Sequence, residues 1–371
     1  MGPMVTFVIP VYKLAHMLPD CVNSVLKQDY KNFEILIMDN CSPDNTPEVA
    51  QSFNDPRVKH VRNETNIGHI RNFNKGIASA RGKYVWMLCV DDMLRSPQVL
   101  GRYVDLMERN PTVGLVFCRA VDFQGGQEKN ITKWADHGGE DRMWKDGSFF
   151  HHLIEGNDIA ACAFFVRKAS YPKGPYQLEI PWASDWYVTC MVALHTDVAY
   201  LQEPMVLIRI HGESLTTQCS QDYARLCIGD ELAVLRRVGR EAELAGMSSQ
   251  RDACEAALVR RAVHALQAGT NGKTPGMTRA DFEIILKERI DSSEERDRIK
   301  ALVYAALGDE QFWEGEREQA AQSYMLALSA SPGHPRTLGK YLLLRTGSVG
   351  IRLRKLSRQR RREEFKIKFA K

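Results

Sequence analysis

The run Gly82-Lys83-Tyr84-Val85-Trp86-Met87-Leu88-Cys89-Val90-Asp91-Asp92 is an apolar, strand-forming stretch that ends directly on a pair of carboxylates. The same arrangement occurs twice upstream. Val5 to Val11 reads as a buried strand running out at Tyr12. Phe33 to Met38 reads as another, ended by Asp39-Asn40-Cys41-Ser42-Pro43-Asp44-Asn45-Thr46, where short polar side chains bond their own backbone. Between these strands Leu18, Cys21, Val22, Val25 and Leu26 fall on one face of a helix. Val58 to Val61 gives a further short strand and Ile70 to Ala80 a further helix. Buried strands alternating with amphipathic helices predict an α/β fold with a mostly parallel sheet flanked by helices. Ligands of such sheets bind outside the carboxyl ends of the strands, so the residues after each strand are where chemistry is expected.

Downstream the pattern changes. Beyond Phe117 the alternation weakens, and the polar, glycine-containing stretch from Gln124 to Asp146 is expected to be a mobile loop or irregular insertion. Ala160 to Arg167 resumes strand character, Trp186 to Leu194 reads as a helix, and Leu207 to Ile210 as a short strand before His211. From Asp222 onward helical patterns take over, broken at Gly269 to Gly276.

A chain of 371 residues has room for about two domains, and 44% hydrophobic with 26% charged residues is a globular composition. The nine cysteines are odd in number, scattered, and form no C-x-x-C pair, so they read as buried thiols of a reducing compartment. No apolar run reaches the length of a membrane span and no signal peptide opens the chain, which makes the cytoplasm the expected address. Met1-Gly2-Pro3-Met4 reads as an expression scar, although Gly2 with Thr6 fits the myristoylation pattern. The net charge of +4 conceals a local +8 between Val349 and Lys371, so the first 348 residues carry a net −4.

Taken in order, Val8-Ile9-Pro10-Val11-Tyr12, the acidic loop at Asp39, Asn66-Ile67-Gly68 with Arg71-Asn72 and Gly76, Gly82-Lys83-Tyr84, Asp91-Asp92, Asp185-Trp186 and Arg209-Ile210-His211 resemble the inverting family 2 glycosyltransferases of the GT-A fold. The resemblance implies a Rossmann-like GT-A catalytic domain over residues 4–217. An all-α accessory region over 218–348 and a basic amphipathic tail over 349–371 would follow it. The implied donor is a nucleotide-diphosphate sugar, with a UDP-sugar favoured, bound with a divalent cation, Mn or Mg. Pro10 and Tyr12 would line the nucleotide pocket and Asp39 would bind the base. Asn66, Gly68 and Arg71 would serve the donor from the start of the following helix, and Asp91 with Asp92 would meet the metal and the sugar or ribose. Bacterial surface-polysaccharide synthesis is the implied setting, with a glycan or lipid-linked acceptor.

The chemistry explains the residue types. Breaking the anomeric bond of a sugar diphosphate needs something to take up negative charge on the leaving group, and hard divalent cations do this through carboxylate oxygens. Asp91 and Asp92 suit that role, and His211 could add an imidazole. The commoner D-x-D pattern is broken by Cys89, a poor partner for a hard cation. Arg71 offers a permanently charged, forked donor to phosphate. Inversion needs a base to take the acceptor's proton, and Asp185 is the candidate, with Trp182 and Trp186 as apolar surfaces for an acceptor sugar. Plain structural readings stand beside these. Asp91-Asp92 could cap the next helix, Asp39 could make an Asx turn, Asp185 could be an N-cap, and Arg71 and His211 could be ordinary surface and core residues.

In the helical half, Tyr304, Leu307, Gly308, Ala320, Tyr324, Ala327 and Pro332 fall where a tetratricopeptide-like hairpin, around 301–334, places its packing residues. It could dock a protein partner, brace a homodimer or simply support the catalytic domain. The tail interleaves Ile351, Leu353, Leu356, Phe365, Ile367 and Phe369 with ten cations. It could hold the protein peripherally on the inner face of an anionic membrane, or be a solvated end. No motif points to nucleic acid. A catalytically silent sugar-nucleotide-binding scaffold is the alternative reading, with Cys89 as its sign. A nucleotidyltransferase is weaker, since no glycine-rich phosphate loop opens the chain.

Overall fold

The computed structural model describes residues 4–132, 135–214, 223–270 and 276–346. Residues 1–3 and the stretch 349–371, on which the scar and tail expectations fall, lie outside the described residues. The chain forms two compact units, one of residues 1–222 with 233–255 and the other of residues 223–232 with 256–371.

The first unit is built on one mixed sheet. In chain order its elements are β1 Val5–Val11, α1 Leu18–Leu26, β2 Phe33–Asp39, α2 Thr46–Gln51, β3 Val58–Arg62, α3 His69–Ser79, β4 Tyr84–Met87 and β5 Met93–Leu94. There follow α4 Val99–Arg109, β6 Val113–Gln124, β7 Gln127–Ile131, β8 Arg142–Trp144, α5 Ser148–Leu153, β9 Phe164–Arg167, α6 Ser184–His195 and β10 Asp197–Arg209. The sheet runs β3-β2-β1-β4-β9-β6-β10-β5, with β7 paired to β6 and β8 to β10. Strands β3, β2, β1 and β4 are mutually parallel, as are β6 and β10, while β9 lies antiparallel between β4 and β6.

Every residue of β2 and all but one of β1 are buried, as expected of strands covered on both faces. The exception is Pro10. A proline deep in a sheet would lose a ladder bond, but β1 and β4 pair only as far as Val8 and Met87, where Leu88 N–H donates to the Val8 carbonyl at 3.0 Å. Two residues on, Pro10 turns its missing N–H toward the side from which β4 has already departed, so no ladder bond is lost. Beneath the strands, Phe7 stacks on Trp86 at 5.5 Å and Trp86 packs against Tyr103 at 4.5 Å. The indole of Trp86 donates to the Cys162 carbonyl at 2.8 Å.

Two expectations need correction. The stretch 124–146 is not irregular throughout: β6 turns into β7 through Gly125 and Gly126, both at positive φ, and β8 adds to β10. All five residues of β7 are exposed, so the apolar alternation that betrays a strand is missing, and the Gly-Gly turn was the available signal. The short strand expected at 207–210 is the end of the thirteen-residue β10, whose pairing with β6 shifts register between Leu201 and Val206, around Pro204.

Beyond β10 the described chain is helical, with helices at Gly229–Leu244, Ser248–Thr270, Arg279–Arg289, Ser293–Glu314, Arg317–Ala330 and Pro335–Arg345. In the hairpin of Ser293–Glu314 and Arg317–Ala330, the side chains of Tyr304, Leu307, Ala320, Tyr324 and Ala327 are buried, and Tyr324 donates to Asp309 at 2.6 Å. Among the described residues no helix is long and apolar enough to cross a membrane.

Helix α3 reaches the carboxyl edge of the sheet only because Gly76 lets it lie directly on β1: a Cβ there would sit 2.4 Å from Val8 Cγ1 and 3.1 Å from Met38 Cγ. Gly76→Ala should therefore cost about 1–3 kcal/mol of stability through overpacking. Urea unfolding would measure this, and an unchanged midpoint would mean that α3 can move away freely.

Candidate active site

Strands β2, β1 and β4 end side by side, and each supplies residues to one edge. Tyr12, just past β1, is 39% exposed, with the Lys13 ammonium 5.1 Å from its ring centre. Lys13 and Cys41, in the loops after β1 and β2, hold positive φ angles of 62° and 60°, strained conformations that surrounding contacts must enforce. Asp39 closes β2 and is fully buried. Its Oδ2 accepts from Arg62 Nη1 at 2.6 Å and lies 3.2 Å from His60 Nε2, while Oδ1 accepts the Ser42 N–H at 2.8 Å. A carboxylate has about four lone-pair positions, and these three partners take up all but one.

The next loop is tied down by asparagines. Asn40 Oδ1 accepts from Asn63 Nδ2 and from the Ile67 N–H, each at 3.0 Å. Asn66 Oδ1 accepts from Asn40 Nδ2 at 2.8 Å and from the Gly68 N–H at 2.9 Å. Asn66 is exposed, and its side-chain oxygen shapes the turn. Gly68, at φ 81°, is the N-cap of α3, a conformation that excludes most side chains. Arg71 stands exposed in the first turn of that helix.

Past β4, Cys89 Sγ and one oxygen each of Asp91 and Asp92 lie within 4.8 Å of one another. Strand β5 pairs with Val206 and Leu207 of β10, which brings the end of β10 alongside the acids. Arg209 donates its backbone N–H to Asp92 Oδ1 at 3.1 Å, Nε to the Asp91 carbonyl at 3.0 Å, and Nη2 to Asp20 Oδ2 at 2.9 Å. His211 Nε2 is 3.0 Å from Asp91 Oδ2. Burial, and then the charge of Asp91, push the Asp92 carboxyl well above its usual range, against bonds from the Cys162 thiol and Arg209 N–H that favour the anion. Burial and the same two acids raise the Cys89 thiol, which keeps its proton and gives a hard cation nothing to bind. Two adjoining carboxylates, one of them buried, are a donor set that a divalent cation would relieve. His211 adjoins Asp91 while Asp92 is bonded to Arg209, and such an ion usually completes its shell with phosphate or water.

Asp185 is the second residue of α6 and accepts from Asn157 Nδ2 at 3.1 Å. Burial raises its carboxyl, opposed by bonds from the Trp186 N–H and from Asn157. Its charge acts on Cys89, so it lies in electrostatic reach of the β4 edge. The segment leading to it is pinned to α3: His69 Nε2 lies 2.9 Å from the Pro181 carbonyl, and Asn74 exchanges bonds of 2.7 and 3.0 Å with the Tyr176 backbone. Trp182 is half-buried. Trp186, expected to offer a surface to an acceptor, is instead a core residue, 3% exposed, with its indole N–H on the Leu153 carbonyl at 2.8 Å.

Pro10, Tyr12, Asp39, Arg71, Asp91, Asp92, Asp185 and His211 thus lie at strand ends, helix starts and connecting loops of one unit, Asn66 stands exposed beside them, and Trp186 is buried. Sequence reasoning missed Arg62 and His60 against Asp39, Asp20 against Arg209, and Asn157 against Asp185. Arg209 stood in a quoted motif without a role. Asn157 carried no signal, lying 28 residues from its partner in an irregular loop.

Residues 6–191 match the family described as Glycosyl transferase family 2. Glycosyltransferase GlyG of Streptococcus pneumoniae is 31% identical over 115 residues, 30% of this chain and 38% of that protein. The succinoglycan biosynthesis protein ExoO of Rhizobium meliloti is 35% identical over 103 residues, 28% of this chain and 29% of that one. The chain therefore spans well under half the length of these curated relatives. Among solved structures, S. aureus TarS 1-349 in complex with UDP-GlcNAc shares the fold, with a TM-score of 0.56 at 15% identity over 94% of this chain and 88% of that one.

In ion-free protein the Asp92 carboxyl should titrate above the ordinary aspartate value of about 4. Arg209→Met, by removing a positive charge that favours the anion, should move it higher still. Carbon-detected NMR of the carboxyl resonances reads both, and an ordinary value would mean that water reaches the group.

Proposed function

Because this chain belongs to glycosyl transferase family 2, and is a glycosyltransferase, we propose that it moves a sugar from a nucleotide-diphosphate donor, a UDP-sugar above all, to a hydroxyl of a glycan or lipid-linked acceptor with inversion at the anomeric carbon. The observation that supports this reading is that Asp39 closes β2 and Asp91 follows β4, two strands separated only by β1, while the charge of Asp185 acts on Cys89 just before Asp91. The role of ExoO named in succinoglycan biosynthesis supports a bacterial surface polysaccharide as the setting, and the UDP-GlcNAc bound by TarS supports the donor class.

Each residue then has a task. Tyr12 and Pro10 bound the crevice for the nucleotide, and Asp39 accepts a donor N–H of the base at its remaining lone pair. Arg71 and the amino end of α3 face the diphosphate. Asp91 and His211 would hold a divalent cation, which when bound supplies positive charge to the departing diphosphate. Arg209 fixes Asp91 and Asp92 against their mutual repulsion. Asp185 takes the proton of the acceptor hydroxyl as its oxygen bonds the anomeric carbon and the bond to the diphosphate oxygen breaks. Trp182 offers the acceptor an apolar surface.

A panel of UDP-, GDP- and dTDP-sugars with glycan extracts, assayed for nucleotide release with Mn or with chelator, tests the reading. Release should need one donor class and the ion, and no release from any donor would overturn it. Asp185→Asn should lower transfer by about 10²–10⁴-fold with donor affinity nearly unchanged, and normal turnover would remove Asp185 from the mechanism. Since burial raises the Asp185 carboxyl and the base works only when ionised, kcat should climb with pH through a value above about 4. Asn157→Ala removes a bond favouring the anion, so the acid limb should move to higher pH.

A further inference from the structure

We infer that His137, His152 and Asp158 form a second metal site, one for a divalent first-row transition ion such as zinc. Sequence spacing gave these histidines no ligand pattern, and the fold brings them together. His152 lies on α5, Asp158 in the loop after it, and His137 two residues past Ala135, a non-glycine residue held at φ 57°. The three ligand atoms lie within 4.8 Å of one another. Asp158 Oδ2 is 2.8 Å from His152 Nε2 and 3.1 Å from His137 Nε2. Ligand atoms of a tetrahedral zinc, each about 2.0–2.1 Å from the ion, are spaced about 3.3 Å apart, so small side-chain shifts would admit it.

A hydrogen-bonded His–Asp–His set does not account for these atoms. Despite the short distance, His137 Nε2 lacks hydrogen-bond geometry to Asp158, and both it and Asp158 Oδ1 are buried without a hydrogen-bond partner. The His137 side chain is only 10% exposed. Its ring is walled by Phe117, Trp144, Phe149 and Tyr200 at 5.1–5.4 Å, which fixes the direction of its nitrogen. His152, 52% exposed, leaves a side open for entry and for a water ligand. Two imidazoles favour zinc, cobalt or nickel over magnesium and calcium. An ion here would join α5, the 135–138 segment and the loop whose preceding residue, Asn157, bonds Asp185.

The test uses the full chain, stripped of metal and titrated with zinc chloride in excess magnesium. Wild type and Asp91→Asn should each retain one zinc per chain through gel filtration. The cobalt form should show tetrahedral visible absorption without thiolate charge-transfer bands. His152→Ala and Asp158→Asn, with unchanged circular dichroism, should bind zinc at least about 100-fold more weakly, since even groups behind metal ligands are worth about 10–100-fold. Absence of a retained zinc in wild type, thiolate bands in the cobalt form, or wild-type affinity in both variants would overturn the site.

Discussion

Two adjacent carboxylates at the end of a buried strand repel one another and resist desolvation, and the catalytic unit is arranged around that difficulty. Asp91 and Asp92 follow β4 where water is largely excluded from Asp92. A like-charge pair in such a place persists when positive charge and N–H donors are brought to it. Arg209 does so by donating its backbone N–H to the Asp92 carboxylate and by holding its guanidinium, through the Asp91 carbonyl and Asp20, beside the pair, and His211 adds an imidazole at Asp91. What charge remains uncompensated is an invitation to a cation carrying a phosphate.

That requirement reaches far through the sheet. Arg209 is the last residue of a thirteen-residue strand that starts at Asp197 and pairs along β6. To finish beside Asp92 the strand must absorb a register shift near Pro204, and the two-residue β5 then clasps its end to the acidic loop. On the other side, the close seat of Gly76 on Val8 sets α3 low against β1. The amino end of that helix carries Gly68 and Arg71. Helix α3 also carries His69 and Asn74, which hold the segment before Asp185. One helix thus ties the strand β1 to the start of α6.

Strands β1, β2 and β4 were legible because each is a continuous apolar run ended by polar turn residues, and the family resemblance rests on the residues at those ends. What escaped had weaker local physics. Strand β7 is exposed along its whole length, so no hydrophobic period marks it, and β10 is broken in pattern by Glu203 and Pro204. Pairings across many residues were beyond reach: Arg62 with Asp39 and Asn157 with Asp185 depend on loops meeting in space. Trp186 was misjudged because a tryptophan beside a candidate base serves an acceptor or a core equally well on paper, and only its bond to Leu153 separates the two.

The three acids at the edge are best told apart by their partners. Asp39 is met by a guanidinium, an imidazole and a backbone N–H, so its charge is answered by the chain and it suits a fixed acceptor role toward a ligand. Asp91 is answered in part, by His211 and by Arg209 acting on the adjoining backbone, and has a face left for an ion. Asp185 has the amide of Asn157 and the N–H of its own helix start but no cation of its own, and burial makes it the more basic for that. Neutral donors steady a carboxylate without cancelling its charge, so burial leaves Asp185 with an affinity for a proton, the property that the base proposed for an acceptor hydroxyl requires.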